Sequence, residues 1–217
     1  MTHSSPRRGV RLLALCGIAA PVLMLALWTV ASLVRPGYDQ LTQYGSELGR
    51  GSNAIIMNVN FVVTGLLITA FAVGLFLNIQ GGRWAQTGSI LLFVFGAGEV
   101  AGGLFPCDPG CPIAAQSITQ LAHNLDAVIA FVAIALAPLI LSAGLNRDQR
   151  WKDYRSYSIA TGILALGLLS IFSAAALDYI GFVGLSQRLF LAGPFLWIEI
   201  VARRLFQISG RDPSLLP

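Results

Sequence analysis

The run Leu12 to Val34 reads LLALCGIAAPVLMLALWTVASLV and follows Arg7, Arg8 and Arg11. A helix crosses the hydrocarbon core of a bilayer with about 20 apolar residues, whereas the apolar region of a secretory signal peptide runs to about 7 to 15. The run satisfies the first length and exceeds the second, so it predicts an uncleaved first transmembrane helix. Pro21 lies inside it and is tolerable, because neighbouring helices can satisfy the backbone carbonyl that a proline frees.

The same pattern recurs along the chain. Further apolar runs extend over about Ala54 to Leu77, Ala85 to Phe105, Leu121 to Leu145, Ile159 to Tyr179 and Leu189 to Phe206, joined by short connections punctuated with Gly, Pro, Asn and Asp. Of the 217 residues, 55% are hydrophobic and 11% charged, against roughly 25% charged in a soluble domain. Such a chain cannot coat a water-facing surface, and its length leaves little for a separate soluble unit. The predicted fold is therefore an all-α integral membrane bundle of six transmembrane helices, forming a single transmembrane domain over residues 1–217.

Lysines and arginines give the orientation. Eleven of the fourteen fall on one side of the alternating runs, namely Arg7, Arg8, Arg11, Arg83, Arg147, Arg150, Lys152, Arg155, Arg203, Arg204 and Arg211. Arg35, Arg50 and Arg188 fall on the other. The positive-inside rule places both termini in the cytoplasm and the connections 35–53, 106–120 and 180–188 outside. Trp84, Trp151 and Tyr179 near run ends fit an interfacial aromatic belt. Because the basic residues flank apolar runs instead of lining one polar face, the net charge of +4 is a topology signal and not a nucleic-acid footprint.

Ionisable groups inside hydrocarbon are costly, so their positions carry the functional information. Glu99 lies six residues before Phe105, about 9 Å from the outer end of the third helix. Gln120, His123, Asn124 and Asp126 occupy the outer turns of the fourth helix, and Asn53, Met57, Asn60 and Thr64 form a stripe at helical spacing on the second. These groups can converge on one outward-facing pocket, with Asn60, Glu99, His123, Asn124 and Asp126 as its candidate ligand-binding residues. A structural reading stands beside this one, in which Glu99 hydrogen-bonds His123 or Asn60 and specifies helix packing. A metal reading through Glu99, His123 and Asp126 is weak, because the only other histidine is His3 in the tail on the opposite side. No metal and no cofactor are implied. Glu199 and Arg203, four apart in the sixth helix, suit an inner-interface ion pair. Gly98 and Gly102, with Gly96 and Gly103 beside them, permit close helix approach in the third.

Two outer connections stand out. In the first, Tyr38, Leu41, Tyr44 and Leu48 recur at helical spacing before Gly49, as a short interfacial helix would require, lying either as a plain anchor or as a lid that brings Tyr38, Asp39 and Glu47 to the pocket mouth. The second carries Cys107-Asp108-Pro109-Gly110-Cys111. Asp-Pro-Gly favours a turn that brings Cys107 and Cys111 close enough to bond, and the three intervening residues favour a structural disulfide over a redox pair. Cys16, inside the first helix, reads as a small apolar residue.

The segment Tyr38-Asp39-Gln40-Leu41 to Ser46-Glu47-Leu48-Gly49, Asn58, Thr64-Gly65-Leu66, Gly103-Leu104-Phe105-Pro106 with Asp108-Pro109-Gly110, His123, and Gln187-Arg188-Leu189 together resemble the prokaryotic multi-pass membrane family named domain of unknown function 998. The resemblance covers most of the chain and implies a multi-pass fold with no assigned reaction. The family pattern has Pro where Gln40 stands and generally lacks the cysteine pair, so a disulfide would be a local elaboration.

Three functions are compatible with this pattern. The first is an accessory protein binding a membrane lipid or other amphiphilic small molecule in the outer pocket. The second is a membrane-embedded hydrolase or transferase acting on a lipid headgroup, with catalytic candidates Glu99, His123 and Asp126 and, as nucleophile, a hydroxyl from Ser46, Ser117 or Thr119 or a water; no nucleophile-elbow motif accompanies them. The third is a small proton-coupled transporter. Homo-oligomerisation is left open by the sequence.

Overall fold

The computed structural model describes residues 6–178 and 180–210. It consists of six long helices, α1 Pro6–Val34, α2 Ala54–Asn78, α3 Gly82–Leu104, α4 Ile118–Leu145, α5 Arg155–Ala176 and α6 Val183–Ser209, with short 3-10 turns at Gly45–Gly49 and Lys152–Tyr154. No strand occurs among the described residues. Each helix packs on its sequence neighbours, and α6 returns to pack on α1, so the six close into a ring. Five helices are long and apolar enough to cross a membrane; α6 matches them in length but carries Arg188, Glu199, Arg203 and Arg204. The chain is a multi-pass membrane protein.

Close approach explains two faces of α3. A methyl group built on Gly65 of α2 would fall 2.5 Å from the Gly96 carbonyl, and one on Gly96 would fall 2.8 Å from the Gly65 carbonyl. The two helices therefore touch backbone to backbone, the packing that small residues permit where lipid gives helices no hydrophobic drive to associate. Gly98 faces the other way, toward α4. Away from the loop-rich end the ring is filled by Phe71, Phe95, Ile134, Trp197 and Ile198, all fully buried. The Trp197 indole N–H donates to Ser158 Oγ at 2.9 Å, which fixes α6 against α5.

The helices exceed the apolar runs at several ends because hydrophobicity marks only the lipid-facing length. The largest difference is at α6, which begins at Val183 and so takes Gln187 and Arg188 into its first turns instead of the preceding connection. The first connection is not a helix over Tyr38 to Leu48. It forms turns followed by the 3-10 segment Gly45–Gly49, and Leu48 is buried at 2% exposure while Leu41 is exposed. Leu48 packs inward with Tyr38 and Tyr44 beside it, against helices α1, α2 and α6, so neither an interfacial anchor helix nor a helical lid exists there. Trp151 is likewise no belt residue: it is fully buried and packs edge-on to Tyr154 at a centroid distance of 6.0 Å. Trp84 is exposed with Arg83 over its ring. Tyr179, His3 and Arg211 lie outside the described residues.

Candidate functional site

At the end of the ring that carries the connections 35–53 and 105–117, the helices splay around a cavity of about 380 Å³ to which all six contribute. Glu99 from α3 and His123, Asn124 and Asp126 from α4 line it together. Glu99 is 7% exposed and its Oε2 is buried without a hydrogen-bond partner. A carboxyl group in that position is costly unless something enters to pair with it.

Asp126 is seated by glycine. A methyl group on Gly98 would fall 3.0 Å from Asp126 Oδ1, and one on Gly102 would fall 3.8 Å from Oδ2. The bare α3 surface therefore leaves room for the α4 carboxylate beside Glu99.

His123 is oriented by the backbone. Its Nδ1 lies 2.9 Å from the Phe105 carbonyl oxygen. A carbonyl only accepts, so Nδ1 carries the proton and Nε2 is the acceptor of the neutral ring. Glu99 and Asp126 make no hydrogen bond to His123, and the packing network of Glu99 with His123 or Asn60 is absent. Asn60 instead lies outside the cavity lining: its amide donates to the Met24 carbonyl at 3.0 Å and its Oδ1 accepts from Thr64 Oγ1 at 3.2 Å, clamping α2 to α1.

Asn124 borders the cavity but serves the second connection. Its amide donates to the Ile113 carbonyl at 2.9 Å, while its Oδ1 accepts from Gln120 Nε2 at 2.7 Å. Gln120 also donates to the Pro112 carbonyl at 2.8 Å. The expected turn is present, with Gly110 at φ +79° and the Cys111 amide donating to the Asp108 carbonyl at 2.8 Å. The Cys107 and Cys111 sulfurs stand at disulfide distance, with Cα atoms 5.1 Å apart. The Arg50 guanidinium donates to the Cys107 carbonyl at 3.0 Å and ties the connections 35–53 and 105–117 together.

Tyr38, Asp39 and Glu47 do not reach the cavity; they hold the first connection in shape. Asp39 accepts from the Leu41 amide and the Thr42 hydroxyl of its own turn, at 2.9 and 2.8 Å, and these bonds hold its carboxyl below the usual range. Glu47 accepts from Gln43 Nε2 and from the Tyr44 amide. Tyr38 accepts from Arg188 Nη2 at 2.8 Å. Arg188 also donates to the Gln40 carbonyl at 2.8 Å and covers the Trp28 ring at 4.8 Å, while Gln187 accepts from the Gly45 amide at 2.8 Å. The first turns of α6 thus dock the connection that brings Tyr44, Gly45 and Ser46 to the cavity.

The chain belongs to the DUF998 family. That family model, described as a protein of unknown function, matches residues 18–204, from within α1 to within α6. No curated protein and no solved structure matches the chain. The DUF998 match thus contains both of these connections and every residue discussed at the cavity. Sequence reasoning missed three contributors to this DUF998 site: Trp28, Phe131 and Phe172, which form aromatic wall. Aromatics in an apolar run carry no mark that distinguishes cavity from lipid.

Two of the candidate hydroxyls are engaged away from His123. Ser117 caps α4 by accepting from the Gln120 amide at 3.0 Å, and Ser46 Oγ lies 3.4 Å from Cys111 Sγ, so neither is held by His123. The partner of Nδ1 is a backbone carbonyl where a catalytic dyad would have a carboxylate. Among the described residues, no group of three His, Cys, Asp or Glu side chains is arranged to hold a metal ion.

Proposed function

We propose that this protein binds the polar end of an amphiphile in the cavity beside Glu99, with the apolar part entering from the bilayer between α4 and α5. The observation that carries the reading is the shape of the cavity. Glu99 lies buried and unpartnered in its wall, while Val128 and Val132 of α4 and Leu177 at the end of α5 also line it and are 64%, 42% and 55% exposed. A volume of about 380 Å³ also falls within the range of roughly 300 to 1,000 Å³ for small-molecule sites.

In this reading α6 is a sixth span, the arginine-rich end is cytoplasmic and the cavity faces outward. What supports it is the length of α6, its buried face of Trp197, Ile198 and Val201, and the pairing of Arg203 Nε with Glu199 at 2.6 Å near its inner end. Single cysteines at Ser52 and Gln149, introduced with the native cysteines replaced, test the orientation in intact cells. Labelling by an impermeant maleimide is expected at position 52 and not at 149, and the reverse pattern would overturn it.

Native mass spectrometry of the protein released from mild detergent tests the binding itself. Wild type is expected to retain an adduct of defined mass that Ala127→Trp, which fills the cavity, loses. An adduct retained equally by the filled variant would refute the site.

A further inference from the structure

Building on the amphiphile-binding reading, we infer that the head group the cavity takes is a protonated amine carried on an apolar body. The ionisable side chains that line the cavity offer it acceptors. Glu99 Oε2 is buried, unpartnered and held on the cavity wall, and Glu99 is 7% exposed. The Asp126 carboxylate lies against Gly98 and Gly102 on the same wall and has no hydrogen-bond partner among the described residues. His123 donates through Nδ1 to Phe105, leaving Nε2 as an acceptor.

The free donor on the wall is the uncharged Trp28 indole N–H, buried without a partner. The Asn124 amide serves the Pro112 and Ile113 carbonyls. Among the described residues, no lysine or arginine lines the cavity. The basic side chains of the adjoining segments face away from it in their bonding: Arg50 serves Cys107 and Asp108, and Arg188 serves Gln40, Gly184 and Tyr38. The Glu99 and Asp126 carboxyl groups, side by side in an apolar cavity without a basic partner, disfavour an anionic head, satisfy a hydroxyl only in part, and are matched in charge and in donors by an ammonium group. The Phe131 and Phe172 rings, 5.5 Å apart and edge to face, add wall that suits a cation flanked by methylene groups.

The test uses three probes with one dodecyl chain and different heads, dodecylamine, dodecanol and dodecanoate, titrated at neutral pH into the full chain in nanodiscs of zwitterionic lipid and read by native mass spectrometry. The amine is expected to be retained at concentrations about tenfold or more below either other probe, and this preference is expected to disappear in Glu99→Gln and in Asp126→Asn. Because the head preference is measured within wild type, the result stands even where a variant fails to fold. Equal retention of all three heads, or preference for the alcohol or the carboxylate, would overturn the amine assignment while leaving a binding cavity. Retention of none would overturn both the assignment and the amphiphile reading on which it rests.

Discussion

Gly98 shows how a single residue shapes the site. The sequence marks it with Gly102 as a small-residue pair, and helix packing is the ordinary reading of such a pair. In the fold that reading holds for Gly65 and Gly96, whereas Gly98 sets both the approach of Ala130 and the seat of Asp126. A methyl group there would meet Ala130 Cβ at 2.7 Å and Asp126 Oδ1 at 3.0 Å. Gly98→Leu must therefore push α4 outward or turn Asp126 aside, and overpacking of this kind costs about 1 to 3 kcal/mol. A lowered midpoint in detergent thermal unfolding is expected, with loss of any retained amphiphile, whereas Gly167→Leu, which has open space around it, is expected to change neither. Glu99, His123 and Asp126 were legible as a group from their depth in the helices. The absence of bonds among them was not, because helix rotation and the choice of a backbone partner leave no trace in spacing.

At the scale of the element, the first connection and the two tight turns at the arginine-rich end carry the information that periodicity missed. Helical spacing of Tyr38, Leu41, Tyr44 and Leu48 suggested a helix, but Pro36, Gly37 and the Asp39 turn bend the chain, and its backbone groups pair with α6 instead of with one another. Gln187→Ala would leave the buried Gly45 amide without an acceptor, at a cost of about 1 to 3 kcal/mol. Hydrogen exchange is expected to accelerate at Gly45 and its neighbours and to remain unchanged in α2 and α3. At the opposite end, Asp148, 5% exposed, accepts from Arg150 Nε and Nη2 at 2.9 and 2.7 Å and from the Gln80 amide at 3.0 Å, locking the α4–α5 connection to the α2–α3 connection. Burial raises its pKa, but the hydrogen bonds from Arg150 and Gln80 outweigh burial and leave it below the ordinary carboxylate value. A depressed folded value means that Asp148 contributes stability above its unfolded pKa of about 3.9 and loses it as pH falls through the folded value. Asp148→Asn is therefore expected to lower stability at neutral pH by about 1 to 3 kcal/mol and to flatten the loss of stability below about pH 4, measured as unfolding midpoint against pH. Asp148 drew no notice as a sequence feature because a lone aspartate between helices looks like any polar turn residue.

For the whole molecule, composition and hydropathy were sufficient to identify a helical membrane bundle, since six apolar runs leave no other way to satisfy the backbone in lipid. Closure of the six helices into a ring, and the cavity this leaves at one end, depend on which faces meet. Those faces are set by glycine contacts, by Trp197 with Ser158, and by Arg188 with the first connection. The resulting account makes the cavity the functional part and the rest of the ring its support. The most direct test is photolabelling in nanodiscs with an alkyl-diazirine amine, followed by peptide mass spectrometry with and without excess unlabelled dodecylamine. Labels that concentrate on Ala127, Phe131 and Phe172 and are displaced by the competitor are the expected result. Labels spread evenly over exposed residues such as Leu25, Val59 and Leu66, with no displaceable set at the cavity, would contradict it.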